Sequence, residues 1–216
     1  MTIELDHVFI CVAKGGPEAA RLVQFGLAEG APNTHPGQGT ANRRFFFRNG
    51  MLELLWVEDS ADAQSEQSAP TRLWERWSSR SNGVCPFGIV VRPAEHANSD
   101  PPFPALEYRP RWLSPDLKIH ISPAGLDEPM WVYMPVLQEF NHQQHFVEHP
   151  NGVREITKLS LATPGFLQSA AALACVKNGV LAHETGSAQL LVMEFDHGSR
   201  HQSTDFRPEL PLVVRH

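Results

Sequence analysis

Two strand-like segments each carry one polar group where an apolar one is expected. In residues 4–13, ELDHVFICVA, His7 stands among Leu5, Val8, Phe9 and Ile10. In residues 43–58, RRFFFRNGMLELLWVE, Glu53 lies between Leu52 and Leu54 in a run completed by Met51, Leu55, Trp56 and Val57. A carboxylate in such a run needs a partner, because burying an unpaired charge is costly. An imidazole and a carboxylate offered from two strands of one sheet form half of a metal site or an acid–base pair. Structural readings compete with this: His7 bonded to a backbone carbonyl, and Glu53 paired across strands with Arg44 or Arg48.

Other residues could serve the same chemistry. Arg44, Phe46 and Arg48 alternate on one strand face, and an inward arginine would grip an anion with paired N–H donors. Asn42 precedes them and offers a donor to a carbonyl. The chain holds 11 histidines, including His120, His142, His145 and His149. His149-Pro150-Asn151-Gly152 reads as a tight turn, or as a pocket rim where His149 and Asn151 meet a substrate. The loop His35-Pro36-Gly37-Gln38-Gly39-Thr40 could cover a pocket. Trp56, Trp131 and Tyr133 read as core or pocket wall.

The elements that must position these groups are legible from periodicity. Residues 5–12 alternate as a strand, with His7, Phe9 and Cys11 on one face. Pro17 and Glu18 suit a helix start, and 17–26 form a short amphipathic helix stopped by Gly26. Residues 29–40 read as a polar turn. Asn49-Gly50 between 43–48 and 51–58 predicts a hairpin with a type I′ turn. Residues 60–70 read as a linker and 71–80 as a helix. Strands are expected at 87–92, 118–122 and 130–134, with 106–112 as an edge strand because of its proline. Residues 155–162 read as a strand and 166–177 as a helix; three more strands follow. A βαβββ order thus appears at both ends, and in degraded form at 87–134.

Composition narrows the class. With 216 residues, 42% hydrophobic and 19% charged, the chain is long enough for one large domain or two small ones. A net charge of −6 with no Lys/Arg run disfavours nucleic acid. No apolar stretch reaches the roughly 20 residues that span a bilayer, and the N-terminus has no export signal, so a cytoplasmic protein without membrane contact is expected. Cys11, Cys85 and Cys175 are far apart and read as small buried residues. No nucleophile elbow, phosphate loop or dinucleotide fingerprint occurs.

LDHVFICV, the helix after it and GTANRRFFFRNGMLELLWVE together resemble a glyoxalase-like member of the vicinal oxygen chelate superfamily. HPNGVREI (149–156) with its following strand and helix is similar to the same subgroup. The resemblance implies an α+β fold of paired βαβββ modules forming cupped mixed sheets. A first module with a divergent middle would span 1–135 and a second 149–216, in one compact unit. It implies His7 and Glu53 as ligands of a divalent metal (Zn, Mn, Fe or Ni), with a third from His120, His145, His149 or Glu194. Neither FGIVVR nor ITKLSLA carries such a ligand. The function implied is lyase or isomerase chemistry on a small, oxygen-rich anion. Glu53 and His149 would act in catalysis, and Arg44, Phe46, Trp56, Trp131, Tyr133 and Asn151 would hold the substrate. The alternative is a metal-free protein that binds a small ligand on the same fold. The modules would pair within the chain or across a homodimer.

Overall fold

The computed structural model describes residues 2–94, 100–135 and 142–216. Part of the histidine-rich stretch, 136–141, lies outside the described residues. The fold is α+β, built on two mixed sheets.

The first sheet takes β1 (Ile3–Cys11), β2 (Asn33–His35), β3 (Thr40–Phe46), β4 (Met51–Val57), β5 (Phe87–Pro93), β6 (Leu106–Tyr108), β7 (Ile119–Ile121) and β8 (Met130–Tyr133). Their order is β2-β3-β4-β1-β5-β8-β7-β6. Parallel β1 and β4 mark the first four strands as one unit, parallel β5 and β8 mark the second, and antiparallel β1 and β5 join them. The partner of the first module in this sheet is therefore 87–133, where the repeat is degraded in sequence, and both lie in one chain. The proline-bearing segment 106–112 supplies β6 at the sheet edge, and the strand ends at Tyr108, before Pro110.

Residues 156–215 form a separate five-stranded sheet, ordered β10-β9-β11-β13-β12. It comprises β9 (Ile156–Thr163), β10 (Ala182–Thr185), β11 (Leu190–Phe195), β12 (Ser203–Asp205) and β13 (Leu212–Arg215). Helix α1 (Ala19–Phe25) follows β1, and Gly26 ends it at φ 99°, donating to the Leu22 and Val23 carbonyls. α2 (Ser60–Ala63) and α3 (Leu73–Ser78) occupy the region between the two halves of the first sheet in sequence, α4 (His142–His145) precedes the second sheet, and α5 (Ala170–Lys177) links β9 to β10.

The hairpin forms, but its turn differs from expectation. Phe47 N–H donates to the Gly50 carbonyl at 2.8 Å, so Arg48 and Asn49 are the turn residues. Neither has positive φ. Asn49 instead bonds the backbone of Ile156 in both directions, at 2.8 and 2.9 Å. Its side chain joins the two sheets rather than shaping a type I′ turn.

Strand alternation divides the core in two. Val8, Ile10, Phe45, Leu52, Leu54, Ile89, Trp131 and Tyr133 pack toward the second sheet with Leu161, Leu191 and Phe195. Phe9, Cys11, Leu55, Val90, Met130 and Val132 face the other way, where the curled sheet and Leu73 of α3 enclose a second cluster. The candidate site lies in that cup.

Candidate functional site

The cup encloses about 170 Å³ and is polar at one end and apolar at the other. Asp6, His7, His35, Asn42, Arg44 and Glu53 belong to the polar wall; Phe9, Leu55, Val90, Ile119, Met130 and Val132 form the apolar one.

His7 reaches the cup because β1 alternates, and Asp6 reaches it because β1 does not do so throughout. The register against β5 shifts between Leu5 and His7, leaving Asp6 as an extra residue. Such a bulge re-aims a side chain that regular pleating would send to the opposite face. Asp6 is 1% exposed. Its Oδ1 accepts from His7 Nδ1 at 2.6 Å, and its Oδ2 accepts from His142 Nε2 at 3.0 Å. Arg92 Nη1 lies 3.5 Å from the same oxygen. Burial alone would raise the Asp6 pKa. The hydrogen bonds from His142 and His7 overcome it and hold the carboxyl well below the ordinary range.

The Asp6 contact fixes the proton of His7 on Nδ1 and turns Nε2 toward Glu53. His7 Nε2 and Glu53 Oε2 are 3.5 Å apart. Burial would lower the His7 pKa, but the hydrogen bond and charge of Asp6, with the charge of Glu53, raise it above its ordinary value. Glu53 stands on β4, 5% exposed. Its Oε1 accepts from Asn42 Nδ2 at 2.5 Å, and Asn42 is itself fixed by the Asn33 N–H at 2.8 Å.

Arg44 is the strand partner of Glu53, yet its guanidinium does not spend itself there. Nε donates to the Ala31 carbonyl at 2.7 Å, and the group lies 5.0 Å from the Phe46 ring centre. Phe46 also stacks on His145 at 5.5 Å, which brings α4 to the cup. The expected covering loop contributes His35 and Gln38. His35 Nδ1 and Thr40 Oγ1 are 2.9 Å apart, and burial lowers the His35 pKa. Gly39 at φ 73° lets this loop close: a Cβ there would sit 2.2 Å from the Asp59 carbonyl oxygen.

Of the residues singled out in the sequence, the structure brings His7, Arg44, Phe46 and Glu53 into the cup. It places five elsewhere. Trp56, Trp131 and Tyr133 point from the opposite face of the sheet into the main core. The indoles of Trp56 and Trp131 donate to Glu58 and Glu128, at 2.8 and 3.1 Å. His149 packs on Phe47 at 5.0 Å and accepts from the Ala28 N–H at 2.9 Å through Nδ1; burial lowers its pKa. Asn151 N–H donates to the Gly26 carbonyl at 3.1 Å, so the HPNG segment is a turn docked on the end of α1. Asp6 carries no signal in the sequence pattern and His142 only that of a histidine-rich stretch, because only the bulge and α4 bring the two together.

His7 Nε2 and Glu53 Oε2 are the donors that the resemblance assigns to a divalent ion. Among the described residues no group of three His, Cys, Asp or Glu side chains could hold one. The cup-facing residues of β5 and β8 are Val90, Met130 and Val132, none of which coordinates a hard cation. The described residues therefore do not make a cage that holds an ion by protein donors alone. No helix among them is long and apolar enough to cross a membrane.

The family of the glyoxalase-like domain matches residues 5–176. That range covers the first sheet except the first two residues of β1, together with β9 and most of α5. A crystal structure of a hypothetical protein from Staphylococcus aureus superposes with a TM-score of 0.57 at 10% identity, over 100% of this chain and 98% of that one. It shows a shared fold. A xylose isomerase-like TIM barrel/4-hydroxyphenylpyruvate dioxygenase fusion protein aligns at a TM-score of 0.44 and 12% identity, over 90% of this chain and 36% of that one. No curated protein matches. The cupped pair of strand modules, His7 and Glu53 on its first and fourth strands, and the family match over most of the chain agree: the protein belongs to the glyoxalase-like domain family of the vicinal oxygen chelate superfamily.

Proposed function

We propose that the cup binds a small, oxygen-rich anion and that Glu53 and His7 move a proton on it, in isomerase or lyase chemistry. The observation that carries this reading is the buried series Asp6–His7–Glu53 at the polar end of the cup. Arg44, whose hydrogen bonds go to carbonyl oxygens rather than to a carboxylate, is the group that would meet the ligand's anionic head. The Glu53 carboxylate would take a proton from the carbon next to a ligand carbonyl. The C–H electron pair would move to the carbonyl oxygen, and the imidazolium of His7, kept protonated by Asp6, would donate to that oxygen. Where the deprotonated carbon carries a hydroxyl, neutral His7 then takes the hydroxyl proton, that C–O becomes the carbonyl, and Glu53 returns its proton to the neighbouring carbon, which completes an isomerisation.

The test is exchange in D₂O. A panel of 2-oxo and 2-hydroxy acids is incubated with the protein, and loss of the C3 proton signal of the oxo acids or the C2 proton signal of the hydroxy acids is followed by NMR. The wild type should exchange at least one acid, and Glu53→Gln should slow it by about 10²-fold or more with binding retained. Exchange unchanged in Glu53→Gln contradicts the reading. Binding without exchange in the wild type favours the metal-free binding protein instead.

A second reading puts a divalent ion on His7 Nε2 and Glu53, and the contact between Asp6 and His7 favours it. A carboxylate on the far nitrogen of a histidine ligand is the usual support for a metal site. Such an ion needs further donors from the ligand. Tag-free protein reconstituted with Zn²⁺, Mn²⁺, Fe²⁺ or Ni²⁺ in the presence of a 2-hydroxy acid would then retain one equivalent, lost in His7→Ala; no metal retained with any acid contradicts it.

A further inference from the structure

We propose that a second crevice, at the rim of the first sheet, binds a small oxyanion, a phosphate or a carboxylate, between Arg72 and Arg76. The crevice encloses about 260 Å³ and lies between the segment that leads into α3 and the loops flanking β7 and β8. Its lining contains these two arginines, the hydroxyl-bearing Ser122, and otherwise mainly prolines, alanines and apolar side chains. Among the described residues no aspartate or glutamate lines it. That composition stands out in a chain with 24 acidic and 18 basic residues.

Arg76 is the unusual member. It is 3% exposed. Its Nη1 donates to the carbonyls of Cys85 and Glu128, the latter at 2.8 Å. Its Nε is buried without a hydrogen-bond partner. Carbonyl dipoles solvate a guanidinium in part but do not supply a counter-charge, and a buried cation without one is costly. The Glu128 carboxylate is turned away to α5, accepting from Ser169 Oγ at 2.5 Å and from the Gln168 N–H at 2.6 Å. Among the described residues neither Arg72 nor Arg76 forms an ion pair. Two guanidinium groups lining one crevice suit the planar oxygens of a carboxylate or phosphate, Arg72 by direct contact and Arg76 by a buried positive charge without an ion pair among the described residues. Met130 lines both this crevice and the apolar wall of the cup, so one side chain separates an occupant from the cup.

The test is thermal unfolding of the full chain titrated with inorganic phosphate and, separately, with citrate, both at constant ionic strength. The variant is Arg72→Gln, which removes the charge and leaves the Arg76 links to Cys85 and Glu128 intact. Arg44→Ala serves as the control for an anion entering the cup. At least one anion should raise the Tm saturably, by roughly 3–5 °C at ten times its Kd for a chain of this size. Arg72→Gln should weaken the apparent affinity about 10-fold or more, and should do so equally in the Arg44→Ala background, where the cup has lost its arginine. Phosphate alone, citrate alone or both identify the class of anion. The proposal is overturned if neither anion gives a saturable rise, if Arg72→Gln responds as the wild type does, or if only Arg44→Ala abolishes the response.

Discussion

Asp6 and His7 are neighbours in the chain, and a regular strand would send them to opposite faces. The bulge between Leu5 and His7 brings both to the polar end of the cup. Their titrations are coupled with opposite signs. Asp6 is depressed in the folded state, so its contribution to stability is present above the ordinary carboxylate range and lost only as pH falls through its lowered folded value. His7 is raised, so its contribution is present below its ordinary value of 6.5 and lost as pH climbs through the raised one. His35 and His149, lowered by burial, titrate below that window. As pH rises from 6.5 through the raised His7 value, the urea midpoint of the wild type should therefore fall. Asp6→Asn should flatten that slope and cost about 3–5 kcal/mol near neutral pH, the scale for breaking a buried charge pair. A variant that keeps the wild-type slope contradicts the assignment. His7 and Glu53 were legible in the sequence because each interrupts an apolar run. Asp6 was not, because alternation assigns it to the wrong face and no local signal marks the bulge.

At the scale of elements, close packing in the first sheet depends on Gly88 of β5. A Cβ there would lie 1.9 Å from the Phe9 ring, and Phe9 forms part of the cup. Gly88→Ala must push that ring into the cup or spread β1 from β5. It should cost about 1–3 kcal/mol and weaken binding of any acid that the wild type holds. Calorimetry and a binding isotherm check this; an unchanged Tm with unchanged affinity contradicts it. The long strands and the two helices α1 and α5 were readable because their periodicity runs over enough residues to be distinct. β2 and α2 were not. Each is three or four residues long in a polar stretch, held by its neighbours' hydrogen bonds rather than by an apolar face. Asn49-Gly50 predicted the hairpin but not its turn, because Asn49 bonds β9, a partner 107 residues away.

The two sheets act as one body through polar links set into a shared apolar core. Glu128, in the loop before β8, accepts from the Gln168 and Ser169 N–H groups and the Ser169 hydroxyl, and so caps α5 across the interface. Glu128→Ala leaves four donors, these three and the Trp131 indole, without that partner and should cost about 1–3 kcal/mol. Because Ile156, Leu161 and Phe195 share a cluster with Ile10 and Ile89, unfolding should stay a single transition. Two separated transitions would contradict this picture. The pairing of modules was harder to read than the modules themselves. The sequence repeat is plainest at 149–216, whereas the strands that complete the cup lie at 87–133, where their cup-facing residues are Val90, Met130 and Val132. Only apolar side chains stand at the positions facing His7 and Glu53, so no polar motif announced that half of the site. The most direct test of the central claim is a crystal structure of the protein with a 2-oxo acid that it exchanges. The account predicts the carboxylate at Arg44 and the carbonyl oxygen within hydrogen-bond reach of His7 Nε2. An acid bound outside the cup, or inside it with no contact to His7 or Glu53, would contradict it.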